Sequence, residues 1–198
     1  MKAAEDAAGM GRFLAGLILG AVLMPAGVLA WFRFGTPPVA VADPPLPMEK
    51  WITSIPMNAR IDREMKSSPI EVNEANLTAG AQIYASRCAV CHGFHGKPSA
   101  FGAHMFPPAP PLWEKHRNND VVGVSDDPAG ETEWKVANGI RLTGMPSFMQ
   151  ALTDMQMWQV SVLLANANKP LPPAAARLVE GEQPAAPAAP FEVPAKSR

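Results

Sequence analysis

Apolar residues follow three different patterns along this chain. From Phe13 to Phe34 they are nearly continuous, FLAGLILGAVLMPAGVLAWFRF, with no charge before Arg33. Such a run, about twenty-two residues and roughly 33 Å long as a helix, is enough to cross a bilayer. Arg12 ahead of it and Trp31, Phe32 and Arg33 at its far end suit the two interfaces, and membrane helices tolerate an internal Pro25 and Gly27. In the second pattern Leu77, Gly80, Ala81, Tyr84 and Cys88 share one face of a helix that begins near Asn73 or Asn76, both suitable N-caps. In the third, Met157, Val160, Ser161 and Leu164 recur at helical spacing, with Trp158 and Leu163 widening the stripe. Thr153 and Gln156 open that helix as a capping box, and it ends before Pro170.

The intervening segments are less regular. Residues 35–48 are proline-rich and predict an extended, semi-rigid tether. Residues 49–72 carry scattered apolar positions (Trp51, Ile52, Ile55, Met57, Ile61, Met65) and predict one short helix over 58–66, which either packs on the following domain or docks onto another protein. Glycine and proline punctuate residues 93–130 too densely for long elements. Asp127-Pro128 opens a short helix bearing Trp134 and Val136, and Asn138-Gly139 stops it. A loop then presents Met145 between Gly144 and Pro146. From Pro172 onward the chain is Ala/Pro-rich without periodicity, which predicts a disordered tail.

The expected organisation is therefore a stub at 1–12, an apolar helix at 13–34, a tether and docking segment at 35–73, a helical domain at 74–170 and a tail at 171–198. The 198 residues carry 17 Lys+Arg against 18 Asp+Glu, a formal net charge of -1. That balance offers no electrostatic footprint for nucleic acid.

The chemistry lies in Cys88-Ala89-Val90-Cys91-His92, a CxxCH that reads as a covalent attachment site for c-type haem. Two thiols add to the porphyrin vinyl groups, which holds the adjacent histidine under the iron as its proximal ligand. Zinc would need further thiols or a histidine pair, and the chain has only these two cysteines. A thioredoxin-like pair would need a βαβ pattern around it, which is not visible.

The N-terminal apolar run has a rival reading as a cleaved signal peptide, because Val28-Leu29-Ala30 resembles a cleavage site. Its length favours a retained anchor. Within it, Gly16 and Gly20 form a GxxxG, a face at which two membrane helices can approach closely, although glycine is common in such helices anyway.

With the CxxCH, the Gly-Met-Pro loop and the two terminal helices together, the region from about 74 to 170 resembles a class I mono-haem cytochrome c. The resemblance implies a mainly α fold, a small helical domain wrapped around one covalent haem c, here with one N-terminal transmembrane helix. Gly80 and Tyr84 stand where that family places its crossing glycine and aromatic, with Val160 and Leu163 opposite. Pro110-Pro111-Leu112 is similar to its P-x-L turn, in which the Pro110 carbonyl accepts the His92 Nδ1 proton. Cys88 and Cys91 would hold the haem, and His92 and Met145 would ligate the iron. His95, His104, His116, Met105 and Met149 are rival distal ligands. The histidines read as loop residues and Met149 as core packing. Trp134 and Arg141 are candidate donors to the haem propionates.

By implication the protein transfers electrons and is not itself an enzyme. It would sit in the cytoplasmic membrane by a single pass, with the haem domain facing the periplasm. Its partners would be donor and acceptor cytochromes, a quinol-oxidising complex or a terminal oxidase. The alternative is a fixed haem subunit of a larger membrane oxidoreductase complex.

Overall fold

The computed structural model describes residues 2–182 and divides the chain into two compact units, Met1–Pro47 and Met48–Arg198, each taken here by itself. The first is a single long helix, α1 (Lys2–Phe34), followed by the tether. Gly9–Phe34 is long and apolar enough to cross a membrane, and its large side chains, from Met10 to Phe34, are exposed. The tether is not fully extended. Asp43 accepts hydrogen bonds from the Val39 and Ala40 N–H groups, both at 2.8 Å, and folds it into a turn. Those two bonds hold the Asp43 carboxyl below its ordinary range.

The second unit is helical, as expected, with no strand among the described residues. Its elements are α2 (Glu49–Glu64), α3 (Glu74–Ile83), a π-helical turn (Tyr84–Cys88), α4 (Ala89–His92), α5 (Ala100–Ala103), α6 (Ala129–Asn138), α7 (Asp154–Leu164) and α8 (Pro173–Val179). Asn73 caps α3 by accepting from the Asn76 N–H, and Thr153 with Gln156 forms the capping box of α7. α7 packs against both α3 and α6, which explains why Met157, Trp158 and Val160 to Leu164 are buried nearly all the way round.

The α3–α7 contact is made at Gly80. A methyl there would enter the Gln159 carbonyl, lying 2.8 Å from its carbon and 3.1 Å from Leu163 Cβ. Close backbone approach thus offsets the roughly 1 kcal/mol that glycine costs inside a helix. One turn on, Tyr84 is fully buried, packs edge-on to Trp113 with ring centroids 5.6 Å apart, and donates its hydroxyl to the Gly93 carbonyl at 2.6 Å.

Two expectations need correcting. The helix predicted over 58–66 runs from Glu49 to Glu64, because contacts distant in sequence complete it: Ile61 is buried, Trp134 Nε1 donates to Glu64 Oε2 at 2.9 Å, and the Arg60 guanidinium lies 5.6 Å from the Trp134 ring centroid. The tail expected to be disordered from Pro172 instead begins with α8, which packs on α3. Ala175, Leu178 and Val179 are buried there, small residues letting a seven-residue helix sit close. Residues 183–198 of that expected tail lie outside the described residues.

Two outcomes are expected. Gly80→Ala should destabilise the protein by about 2 kcal/mol, read as a lower denaturant midpoint, overpacking outweighing the better helix propensity. Arg60 and Trp134 hold the Glu64 carboxyl below its ordinary 4.5. A depressed folded-state pKa gives stability that is present above pH 4.5 and lost as pH falls through the folded value. The indole N–H resonance of Trp134 should therefore shift below pH 4.5, and Glu64→Gln should abolish that titration.

Candidate functional site

The attachment motif lies where α3 changes its hydrogen-bond register. At Tyr84–Cys88 the ladder loosens to i→i+5, the Ala89 N–H reaching back to the Tyr84 carbonyl. Such π-turns rotate the following side chains relative to a regular helix and are frequent at functional sites. Here the turn carries Cys88, and α4 carries Cys91 and His92. All three are half-buried. Burial pushes the Cys88 thiol up to about 12, with the nearby Cys91 adding to the effect.

The chain then folds back over α4. Gly93 takes φ 75° with the Lys97, Pro98 and Ser99 backbone against it, a place only glycine fills without strain. Ser99 donates its hydroxyl to the Val90 carbonyl at 2.6 Å and caps α5 through the Gly102 N–H. Gly102 itself touches the Cys91 carbonyl, where any side chain would collide. This return brings Pro110 to the motif. Its carbonyl lies 2.8 Å from His92 Nδ1, the bond expected from the sequence. Nδ1 donates to that carbonyl, which fixes the tautomer and leaves Nε2 as the ring's basic nitrogen. Burial lowers the His92 pKa, and the Pro110 bond partly opposes the shift. The imidazole is thus held neutral, the form that binds a metal.

Met145 stands on a loop tied to the end of α6. The Ile140 N–H donates to the Met145 carbonyl at 3.2 Å, and the Phe148 N–H to Val136 at 3.0 Å. Thr143 Oγ1 accepts from the Met145 N–H at 3.1 Å while donating to the Ile140 carbonyl at 2.7 Å. Within the loop Leu142 takes the left-handed φ of 62°, which a leucine adopts only at a cost. Met145 is half-buried against the core, and Met105 packs onto Gly144 beside it.

The other candidates separate. His95, His104 and His116 are exposed, and His104 Nδ1 pairs with the Ala100 carbonyl at 2.7 Å. Met149, expected in the core, is 51% exposed, on the turn that the Ala151 and Leu152 N–H groups close on the Phe148 carbonyl. Arg141 is exposed on the Met145 loop. Trp134 has its N–H on Glu64, so that donor is committed within the fold. Sequence reasoning missed Glu64 and Thr143. A hydroxyl two residues before a loop methionine was the visible sign for Thr143, but nothing local pointed to Glu64.

Two thiols one turn apart and a neutral, carbonyl-oriented imidazole fit a covalently held haem. The Trp113 indole N–H, buried without a hydrogen-bond partner beside the Pro110–Leu112 turn, is a further polar atom that the protein alone does not satisfy. No group of three or more His, Cys, Asp or Glu side chains placed to hold a metal ion occurs among the described residues, so the thiols lack the company a zinc site requires.

Residues 75–164 match the family model described as cytochrome c oxidase, cbb3-type, subunit III. A thiosulfate dehydrogenase of Stutzerimonas stutzeri (strain A1501) is 29% identical over 153 residues, 74% of this chain and 46% of that protein. The chain thus spans about half the length of this curated relative. No solved structure matches it.

Thr143→Val is expected to leave the spectrum of the native holoprotein unchanged. It should destabilise the Met145 loop by about 1–2 kcal/mol, read as a lower denaturant midpoint, because the Met145 N–H loses its acceptor.

Proposed function

From a c-type cytochrome domain over residues 75–164, we propose a membrane-anchored mono-haem cytochrome that carries single electrons on the periplasmic side between respiratory-type partners. The observation that carries the reading is the 2.8 Å bond from His92 Nδ1 to the Pro110 carbonyl. It readies the histidine of a CxxCH to act as an axial ligand.

Haem c, when bound, supplies a one-electron iron couple. Cys88 and Cys91 would hold it by thioethers, and His92 and Met145 would ligate the iron. The Pro110 carbonyl would strengthen the donor power of His92, and the Met145 thioether would favour ferrous iron over what a second imidazole would give. With the Trp134 N–H committed to Glu64, Arg141 on the Met145 loop would be the donor to a propionate. With His92 and Met145 both serving as ligands, the group would supply electron relay and no bond chemistry.

A second reading is a fixed haem subunit of a larger membrane oxidoreductase. The matched family takes its description from an oxidase subunit, and the relative is named as a dehydrogenase of which the matched segment makes up 46%. Under this reading the domain passes on electrons that a separate catalytic part removes from substrate. Detergent extraction separates the two cases: a cytochrome that emerges alone supports the carrier, and a stable complex with large membrane subunits supports the fixed subunit.

Met145→Ala is expected to abolish the near-infrared band and lower the reduction potential. A variant that kept both would show that another residue ligates the iron. The intact mass of the purified holoprotein should equal the full chain plus one haem. A mass short of the first thirty residues would replace the anchor with a cleaved signal peptide.

A further inference from the structure

α2 has two apolar faces, and the fold uses only one. Its C-terminal half is docked through Ile61, 2% exposed, and by the contacts of Arg60 and Glu64 with Trp134 of α6. Gly130 of α6 lies against the Lys66 backbone just beyond, so close that no side chain would fit. On the opposite side of the N-terminal half, Trp51, Ile52 and Ile55 are 59%, 54% and 50% exposed. Their i, i+1, i+4 spacing groups them on one surface, and Met48, 62% exposed, precedes them at the helix start. Pro56 removes one helical hydrogen bond between the two halves. The hydroxyls beside the apolar surface are already satisfied: Thr53 Oγ1 donates to the Glu49 carbonyl at 2.8 Å and Ser54 Oγ to the Trp51 carbonyl at 2.9 Å.

The occupant follows from the covalent chain. Thirteen residues, 35–47, join the end of α1 to Met48. Fully extended they reach at most roughly 45 Å, and the turn closed by Asp43 shortens that reach. If α1 is embedded, the start of α2 stays within that reach of the lipid surface. A helix end bearing tryptophan and isoleucine on one side, flanked by Lys50, is the composition that settles at the boundary of headgroups and acyl chains.

We propose that the Trp51–Ile52–Ile55 face of α2 lies in the interface of the membrane that α1 anchors. The inference rests on the anchor reading and adds a second contact to it. Because the other half of α2 is clamped to α6, whose end carries the Met145 loop, the lipid contact sets the tilt of the haem domain on the membrane.

The test uses the full-length holoprotein in phosphatidylcholine/phosphatidylglycerol vesicles containing lipids brominated at shallow acyl positions. Emission is compared between the parent and Trp51→Phe, so that the difference isolates Trp51 from the other four tryptophans. The expected result is that the Trp51 share is blue-shifted and loses at least half its intensity on bromination. Flotation and intact mass are measured on the same sample. Protein that floats with its full mass but whose Trp51 emission is unquenched and red-shifted overturns the interface contact while leaving the anchor standing. Emission that is blue-shifted but unquenched overturns it in favour of a protein partner on this face. Protein that lacks its first helix or fails to float overturns the anchor and the proposal together.

Discussion

The close crossing of α3 and α7 is the contact from which the end of the domain that carries Cys88, Cys91 and His92 takes its direction. Glycine at position 80 lets α3 lie against the α7 backbone at the Gln159 carbonyl, so the axis of α3 has almost no freedom to shift. Everything that follows in the chain inherits that axis. Tyr84 is buried one turn later, and its hydroxyl reaches the Gly93 carbonyl, which pins both ends of the segment that contains Cys88 and His92. The π-turn within this interval adds the rotation that a regular helix would not supply.

Around the motif the fold works with loops, and here the constraint is backbone satisfaction and not periodic packing. A segment as long as 93–127 with little regular structure is unusual in a small domain. This one is held by a few points where two stretches of main chain come too close for a side chain: Gly93 on Lys97 and Ser99, Gly102 on Cys91, and Gly123 on Leu112. Each such point places a carbonyl or an N–H where a partner can meet it, and the Pro110 carbonyl on His92 is the one with chemical use.

The parts of the fold readable in the sequence are those whose information is local. α1, α3 and α7 declare themselves by spacing, and the caps at Asn73 and Thr153 lie within three residues of their partners. The Pro110–His92 bond was legible only through a family resemblance, since eighteen residues separate the two. What escaped reading depends on distant contacts. The full length of α2 is secured by Trp134, seventy residues from Glu64, and its two opposed faces blur the periodicity that would have marked it. α8 is too short and too rich in alanine to show a stripe, yet Ala175 is completely buried. The π-turn changes hydrogen-bond register without changing the apolar pattern, so no spacing rule announces it.

α8 also closes the motif from behind. The His95 N–H bonds the Val179 carbonyl, and Lys97 Nζ bonds the Glu180 carbonyl across 83 residues of sequence. The back of the motif therefore cannot be closed until nearly the whole described chain exists. Cys88–His92 thus takes its final surroundings from both ends of the sequence, the Gly80 crossing ahead of it and the α8 carbonyls behind it.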